Sequence, residues 1–451
     1  KISCSSILHC ISQIINQKMK ELVNNLKGDR VIWSFVALLA LFSFMPVFSA
    51  SSNLAYVGQG TGNTISFLLK HLAHIAIGLL IIYWIHKVPF HYYKGISIIA
   101  LPIVWILLAY TLFKGTVISG ANASRWIQVP FIKISFQTST LATLVLLVYV
   151  ARYLSKKREE AITFQASVIE LWIPVFITLA FILPANFSTT ALIFSMILML
   201  TFVGKYPIKY LAFIIGTGIS ALLLFILLAK AFPDSPLFSR VDTWKSRVEK
   251  FSNNKPGEDD YQIEKAKIAI ASGGVYGLGP GKSVQKHFLP QSSSDFIYAI
   301  IVEEWGLIGG FGILILYLLL FFRFVIAAHK APSLFGKLLV VGLGFPMIFQ
   351  AMINMAVAVE LLPVTGQTLP LISSGGSSIW MSCIALGIII NVTKKEEEIA
   401  QEISDKAKRD AALQKLIDKQ LEEENEAELE AEENYSIEDN AKNPMNAILN
   451  K

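Results

Sequence analysis

The sequence has few charged residues. Asp, Glu, Lys and Arg make up only 16% of the 451 residues, whereas soluble domains carry about 25%. Hydrophobic residues make up 54%, and the mean hydropathy is +0.55. A soluble protein of this length could not cover that much apolar surface, because its exterior must stay largely polar. Apolar runs recur at close to the roughly 20 residues that cross a bilayer as a helix. We therefore predict an all-α, polytopic integral membrane protein.

Cysteine is also scarce. Cys4, Cys10 and Cys383 are the three in the chain, and their spacing fits neither a disulfide framework nor a metal site. Cys383 lies inside an apolar run, where it is expected to be a small packing residue. The histidines likewise lack ligand spacing with carboxylates. The sequence alone therefore identifies no metal site.

Hydropathy predicts about ten transmembrane spans, several of them short. They are Val31–Ala50, Ile65–Ile85, Ile96–Phe113, Phe136–Val150, Val168–Leu183, Thr189–Val203, Ile208–Leu228, Leu307–Ala328, Leu338–Val357 and Ile379–Val392.

Two predicted connections, Ser51–Thr64 and Glu360–Gly376, contain neither lysine nor arginine. Basic residues instead flank the connections on the opposite side of the predicted bundle. The positive-inside rule assigns that side to the cytoplasm. The long segment 231–295 is charged, but long loops cross a membrane largely regardless of charge. We therefore predict that both termini are cytoplasmic and that this long loop is extracytoplasmic.

The chain divides into three parts by composition. Residues 1–30 form a cytoplasmic N-terminal segment, of which residues 1–18 are either an added extension before Met19 or a native tail. Residues 31–392 form the membrane domain. Residues 393–451 form a Glu- and Lys-rich cytoplasmic tail, either a partner-binding helix or a solvated segment, and its composition favours a largely disordered one.

The stretch Tyr261–Gly310 holds charges, glycines and one aspartate, Asp295, directly before an apolar run. Ionisable groups at a membrane boundary are costly to bury and therefore indicate function. By residue type alone, Ser294 and Asp295 are better explained as a helix N-cap. The surrounding motif, described next, reverses that preference.

Four segments together resemble the SEDS family of bacterial membrane proteins, the FtsW/RodA group. They are GANASRWIQVPFIKISFQTSTLA (Gly120–Ala142), LPANFSTTALIF (Leu183–Phe194), the Tyr261–Gly310 stretch, and INMAVAVELLPVTGQTLPLISSGGSSIW (Ile353–Trp380). Their order, their spacing and the ten predicted spans agree with the family, so the resemblance implies the SEDS fold. Two sequence segments of this chain are more similar to the division-type FtsW branch than to the elongation-type RodA branch, namely QKHFLPQSSSDF and LPLISSGG.

The resemblance implies a peptidoglycan glycosyltransferase of the bacterial inner membrane. Such an enzyme polymerises lipid II onto a polyprenyl-pyrophosphate-linked glycan, together with a class B penicillin-binding transpeptidase and divisome proteins. Asp295 matches the family's catalytic aspartate and would be the general base. A divalent cation on the pyrophosphate stays open, and no other cofactor and no nucleic acid are expected. Three alternatives also stay open: a lipid II flippase, an elongation-type polymerase, and a purely scaffolding divisome protein.

The resemblance and the phosphate chemistry of the substrate indicate further candidate substrate-binding residues. Arginine suits bidentate phosphate binding and lysine supplies a point charge, glutamates of the family's paired motif would shape the cavity, and a serine tract follows two prolines. The candidates are Arg125, Arg247, Lys282, Lys286, Glu303, Glu304, Ser377 and Ser378. Each also has a structural explanation, namely a surface ion pair, a flexible glycine turn, a salt bridge or a plain loop.

The chain departs from the family pattern at several polar positions. Thr140 and Thr143 stand where relatives often carry an intramembrane Glu–Lys pair, and Asn186 stands where aspartate is usual. Gln291 replaces a glutamate and Ser374 a tyrosine. The family roles of these positions are therefore not transferred to this chain, and Asp295 is left as the isolated candidate base.

Overall fold

The computed structural model describes residues 26–57, 64–115, 125–128, 135–157, 163–232, 241, 258–289 and 291–394. In the C-terminal tail it describes residues 403–404, 406–422, 424–425 and 427. The predicted extension and the candidate Arg247 lie outside the described residues.

The described chain is built almost entirely from α-helices. A short β-hairpin lies between the third and fourth of them. The helices are α1 (Arg30–Val57), α2 (Thr64–Ile85), α3 (Tyr93–Lys114), α4 (Thr138–Lys156), α5 (Phe164–Ile182), α6 (Phe187–Val203), α7 (Ile208–Ala231), α8 (Glu258–Gly273), α9 (Ile297–Lys330), α10 (Leu334–Ala358) and α11 (Gly376–Val392). The hairpin pairs β1 (Trp126–Gln128) with β2 (Ser135–Gln137) in antiparallel register, with Ile127 opposite Phe136.

Ten of these helices account for the predicted spans. Eight are long and apolar enough to cross a bilayer, and α6 and α11 are shorter apolar helices of 17 residues each. Large apolar side chains such as Phe213 and Phe311 are exposed on the outside of the bundle, as expected where lipid rather than water is the solvent. The all-α, ten-span prediction is confirmed.

Of the eight long spans, α4 and α10 are the most buried and α7 is the least buried. Leu146 and Leu147 of α4 and Leu339 of α10 are almost fully buried. These apolar side chains gain their stabilisation from close packing, since lipid is as apolar as they are.

At one end of the bundle, polar contacts join α1, α9 and α11. Asp29 Oδ2 pairs with Arg323 Nε at 2.6 Å, and the Asp29 backbone N–H donates to Thr393 Oγ1 at 2.9 Å. Asn391 Nδ2 donates to the carbonyl of His86 at 2.5 Å. We call this the basic end, because the connections flanked by Lys87, Lys156, Lys205 and Lys330 lie here. The opposite end, which contains Asp295, is called the site end.

The predicted loop 231–295 contains helix α8. Its residues Ile263, Ala266 and Ala269 are buried in a cluster with Phe296 and Ile300 of the α9 region. These apolar positions recur at helical spacing, but the flanking charges lower the mean hydropathy, so hydropathy alone predicted only a loop. Helix α8 therefore packs directly against the segment that carries Asp295.

Helix α9 is interrupted at Gly306, whose φ of 68° and ψ of −170° are not helical. The interruption receives the glycine-rich stretch that follows α8: the N–H of Leu278 donates to the carbonyl of Glu303 at 2.9 Å, and that of Gly279 to the carbonyl of Glu304 at 2.9 Å. The sequence suggested that this stretch is a flexible turn or a backbone close to a phosphate. In the structure these two amides are bonded to α9.

Residues 406–422 of the C-terminal tail are helical, and every side chain described there is exposed. Contacts divide the chain into two units, residues 1–393 and residues 394–451. Much of the segment predicted to be disordered lies outside the described residues.

We predict that Gly306→Ala strongly destabilises the protein. An added Cβ would lie 2.2 Å from the carbonyl oxygen of Val275, and a positive φ is itself unfavourable for alanine. We expect a loss of about 2 kcal/mol or more, measured as a lower midpoint of thermal unfolding in detergent.

Gly312→Ala is the matched control for this substitution. Gly312 is an exposed residue on the same helix, and an added Cβ there meets no atom within 4 Å. Alanine should be neutral or slightly stabilising there. Equal midpoints for the two variants would contradict the backbone contact described above.

Candidate functional site

Asp295 lies in a turn that leads into α9 at the site end. The N-cap residue of α9 is Phe296, and it makes no side-chain cap hydrogen bond. The alternative prediction, that Ser294 and Asp295 form the N-cap, therefore places the cap too early in the chain. Asp295 is half-buried, and its backbone carbonyl accepts a hydrogen bond from Asn354 Nδ2 at 2.7 Å.

The carboxyl group of Asp295 lies against Gly366. An added Cβ at Gly366 would be 3.4 Å from Asp295 Oδ2, and Gly366 has a φ of +66°. A side chain at this position would therefore be strained and would also press on the carboxylate. Gly366 belongs to the non-helical segment 359–375 that connects α10 with α11, which we call the site loop.

Side-chain amides of α10 hold the site loop in place. Asn354 Nδ2 donates to the carbonyl of Gln367 at 2.7 Å, and Gln350 Nε2 donates to the carbonyl of Thr368 at 3.0 Å. The two residues are one helical turn apart, so they face the same side of the helix. Non-helical backbone inside a membrane bundle needs such partners, and Asn354 supplies one to Asp295 as well.

The turn that carries Asp295 and the site loop are also bonded to each other. Ser373 Oγ donates to the carbonyl of Ser294 at 2.6 Å, and the Ser374 N–H donates to the carbonyl of Ser293 at 2.8 Å. The position of Asp295 is therefore determined jointly by α10 and by the site loop.

A cavity of about 120 Å³ opens beside the site loop, between α4, α6, α10 and α11. Its polar lining consists of hydroxyl and amide groups, and its deeper lining is apolar. The polar residues are Gln137, Thr140, Thr143, Thr189, Gln350, Gln367, Thr368, Ser378 and Ser382. Of the described residues that line it, none is ionisable. Gly366 is part of the wall, so Asp295 is at the rim of this cavity.

Arg125 lies near the cavity. Its Nε donates to the carbonyl of Ala185 at 3.2 Å, beside a small pocket of about 20 Å³ that Asn186 also lines. Asn186 is the N-cap of α6 and accepts a hydrogen bond from the N–H of Thr189 at 3.2 Å. Gln367 of the site loop donates to Thr189 Oγ1 at 3.1 Å. Arg125 and Asp295 are therefore linked at the site end by one chain of contacts, which runs through Ala185–Asn186, Thr189, Gln367 and Asn354.

The other predicted cationic and acidic candidates form a separate group. Lys282 is exposed, whereas Lys286, Glu303 and Glu304 are buried. Glu303 Oε1 accepts hydrogen bonds from two backbone N–H groups of residues 284 and 285, at 2.9 and 3.1 Å. These four candidates are not among the residues that line the cavity.

The two serine candidates lie at the start of α11. Ser377 is buried and its Oγ accepts from the Gln137 N–H at 3.4 Å, which connects it to the hairpin. Ser378 Oγ is hydrogen-bonded to Thr368 Oγ1 at 2.9 Å and lines the cavity. Of these two, Ser378 is placed to contact a ligand in the cavity.

Sequence reasoning missed Gln350, Asn354 and Gln367. A signal was present, since Gln350 and Asn354 are the polar residues at i and i+4 of the apolar run GLGFPMIFQAMINMAVA. Polar residues on one face of a membrane helix are expected to bond inside the bundle. Among the described residues, no group of three or more His, Cys, Asp and Glu side chains is arranged to hold a metal ion.

The sequence matches the family model described as cell cycle protein, FtsW/RodA/SpoVE, over residues 29–398. A probable peptidoglycan glycosyltransferase FtsW of Saccharophagus degradans is 31% identical, covering 81% of this chain and 92% of the relative. The corresponding protein of Thioalkalivibrio sulfidiphilus is 30% identical, over 80% of this chain and 89% of the relative. Stage V sporulation protein E of Bacillus subtilis is 28% identical, over 81% and 97%.

Solved structures share the fold. A chain of a peptidoglycan synthase complex that coordinates polymerization and crosslinking matches with a TM-score of 0.62 and 24% identity, covering 82% of this chain and 98% of that one. The rod shape determining protein RodA of Thermus thermophilus matches with a TM-score of 0.58 and 24% identity, over 82% and 97%. The family match spans the membrane domain and includes every described site residue above. The chain belongs to the FtsW/RodA/SpoVE family.

Proposed function

We propose that this protein is a division-type peptidoglycan glycosyltransferase that polymerises lipid II into glycan strands. The observation that carries the proposal is the position of Asp295, whose carboxyl group faces Gly366 at the rim of a membrane-embedded cavity. A carboxylate here is in reach of a sugar whose lipid anchor enters the cavity. Relatives named peptidoglycan glycosyltransferase FtsW support the same activity.

In the proposed reaction Asp295 is the general base. It takes the proton of the acceptor sugar hydroxyl as the oxygen bonds to the anomeric carbon of the donor. The bond from that carbon to the pyrophosphate oxygen breaks, and the electron pair leaves with the pyrophosphate. A pyrophosphate departs without a general acid if its charge is neutralised, so one carboxylate is sufficient, unlike the pair used by glycosidases.

The distribution of charge supports a placement in which the polyprenyl chain of the substrate enters the cavity and its pyrophosphate stays at the rim. The described cavity lining is uncharged and its deeper part is apolar, which suits a polyprenyl chain and disfavours a pyrophosphate. Arg125 beside the cavity and exposed Lys282 are the described candidates for pyrophosphate contact. Ser378 and Thr368 would contact uncharged groups of the substrate next to its pyrophosphate.

We also propose that the basic end faces the cytoplasm of a bacterial inner membrane, with both termini on that side. The Lys- and Arg-bearing connections at this end support the orientation. The site end would then meet lipid-linked sugars outside the cell. We further propose a class B penicillin-binding transpeptidase as partner, supported by the similarity to a chain of a peptidoglycan synthase complex.

Asp295→Asn should abolish glycan formation while lipid II still binds. The amide is nearly the same size as the carboxylate but cannot accept the proton. We expect kcat to fall at least about 100-fold with the purified protein and its transpeptidase partner, measured as glycan chains formed from lipid II.

Glu264→Gln is the matched control, because Glu264 is an exposed carboxylate on α8 at the same end. It should leave polymerisation unchanged. Full activity of Asp295→Asn would overturn the proposed mechanism.

Asn354→Leu should lower kcat, because it removes hydrogen bonds to the carbonyls of Asp295 and Gln367. Leaving buried carbonyls without a donor also costs about 1–3 kcal/mol of stability. Asn391→Leu removes comparable bonds at the basic end and should cost similar stability with no loss of kcat per folded molecule. Equal kcat values for the two variants would contradict a specific role for Asn354.

The orientation can be tested by cysteine labelling in cells, in a background lacking Cys4, Cys10 and Cys383. Tyr276 is 84% exposed at the site end, and Lys156 is exposed at the basic end. A membrane-impermeant maleimide should label Tyr276→Cys in intact spheroplasts and Lys156→Cys only after permeabilisation. The reverse pattern would invert the topology.

A further inference from the structure

Ser49 of α1 lies between two buried ionisable side chains of the site end. Its hydroxyl donates to Glu304 Oε1, and Lys286 Nζ donates to Ser49 Oγ at 3.3 Å. The exposed fractions are 2% for Ser49, 9% for Lys286 and 1% for Glu304. Lys286 Nζ also donates to the carbonyl of Gly281 at 2.8 Å. The lysine is thus directed into the protein by two hydrogen bonds.

Both adjacent carboxylates bind the same turn, residues 283–286. Glu303 accepts from Ser283 Oγ and from the N–H groups of Val284 and Gln285, at 2.9 and 3.1 Å. Glu304 Oε1 accepts from the Ser283 N–H at 3.3 Å. The turn is therefore fixed to the first helical turns of α9 by side chains as well as by the neighbouring glycine-rich backbone.

These contacts connect the two ends of the chain segment that contains Asp295. Lys286 precedes Asp295 by nine residues and Glu304 follows it by nine. Between them, Leu289 and Phe296 are buried at 1% exposure each. Because both flanks are bonded to each other and to α1, movement of either flank would displace the catalytic carboxylate.

Such a buried charged cluster is a poor source of stability. Removing charges from solvent is costly, and apolar residues of similar size often stabilise a protein equally well. Glu304 Oε2 is buried without a hydrogen-bond partner among the described atoms, which adds to the cost. What the cluster supplies is one defined geometry, since charged hydrogen bonds are directional.

We propose that Ser49, Lys286 and Glu304 form a positioning latch that sets Asp295 relative to the site loop and couples it to α1. The proposal rests on the proposed function of Asp295 as a base. It gives Lys286 a role different from the substrate contact expected from the sequence. A lysine that binds pyrophosphate would change KM when it is replaced, whereas a latch changes kcat.

The test compares Ser49→Ala, Lys286→Met, Glu304→Gln and the double variant Lys286→Met/Glu304→Gln in lipid II polymerisation. We expect the single charge-removing variants to lose about 100-fold in kcat, as misplacement of a catalytic group by about 1 Å can do, with KM changed less than about twofold. The double variant should recover at least about tenfold over either single variant, because neither charge is left unpaired. Ser34→Ala, an exposed serine of α1, and Lys230→Met, an exposed lysine of α7, are the controls.

Hydrogen exchange supplies a measurement that does not need activity. The amides of Ser283, Val284 and Gln285 are hydrogen-bonded to the carboxylates of Glu303 and Glu304. They should exchange faster in the three single variants, Ser49→Ala, Lys286→Met and Glu304→Gln. They should exchange at the wild-type rate in Asp295→Asn.

Two results would overturn the latch: an increase in KM at constant kcat for Lys286→Met, or unchanged exchange at these amides in all three variants. If the wild-type protein does not polymerise lipid II, the proposed function fails. In that case the exchange rates alone decide whether the latch exists.

Discussion

Two amide side chains on α10, Asn354 and Gln350, hydrogen-bond the backbone of a segment that is not helical although it lies within a membrane bundle. Hydrocarbon offers no hydrogen bonds, so each peptide group of such a segment needs a partner from the protein. Asn354 and Gln350 supply two of the partners that the site loop needs. The placement of Asp295 beside Gly366 depends on the same residue, since Asn354 donates to the backbone carbonyls of both Asp295 and Gln367. The chemistry at the rim thus depends on satisfying backbone groups in a medium without water.

Charged side chains lie at the two ends of the bundle, because the surrounding medium without water also penalises unpaired charge. Arg323 and Asp29 form an ion pair at the basic end, and at the site end the buried Glu303 and Glu304 accept from hydroxyl and backbone N–H donors. Between the two ends, the described cavity lining has only hydroxyl, amide and apolar groups. In a low dielectric an unpaired charge is much more costly than an unpaired hydroxyl. Thr140 and Thr143 therefore line the cavity with hydroxyl groups and bring no charge into it.

The sequence predicted the parts of this structure that depend on length and hydropathy. The ten spans and the family were confirmed, because an apolar run of sufficient length has few alternatives to a membrane helix. Helix α8 was missed, since its buried face of Ile263, Ala266 and Ala269 is diluted by charged neighbours. Contacts between distant segments were also not predictable: nothing local to Ser49 indicates a partner at Glu304. The same holds for the glycine-rich stretch, whose partner is the interruption at Gly306.

The uncharged lining of the cavity has an electrical consequence. Moving one elementary charge across a membrane changes the free energy by about 2.3 kcal/mol per 100 mV. The seating of a ligand depends on the voltage across the membrane only where charge moves through the field during binding. A neutral polyprenyl chain that enters this cavity moves no charge through the field and meets no ionisable group among the described lining residues. The voltage across the membrane would therefore not alter the binding of such a chain to this cavity.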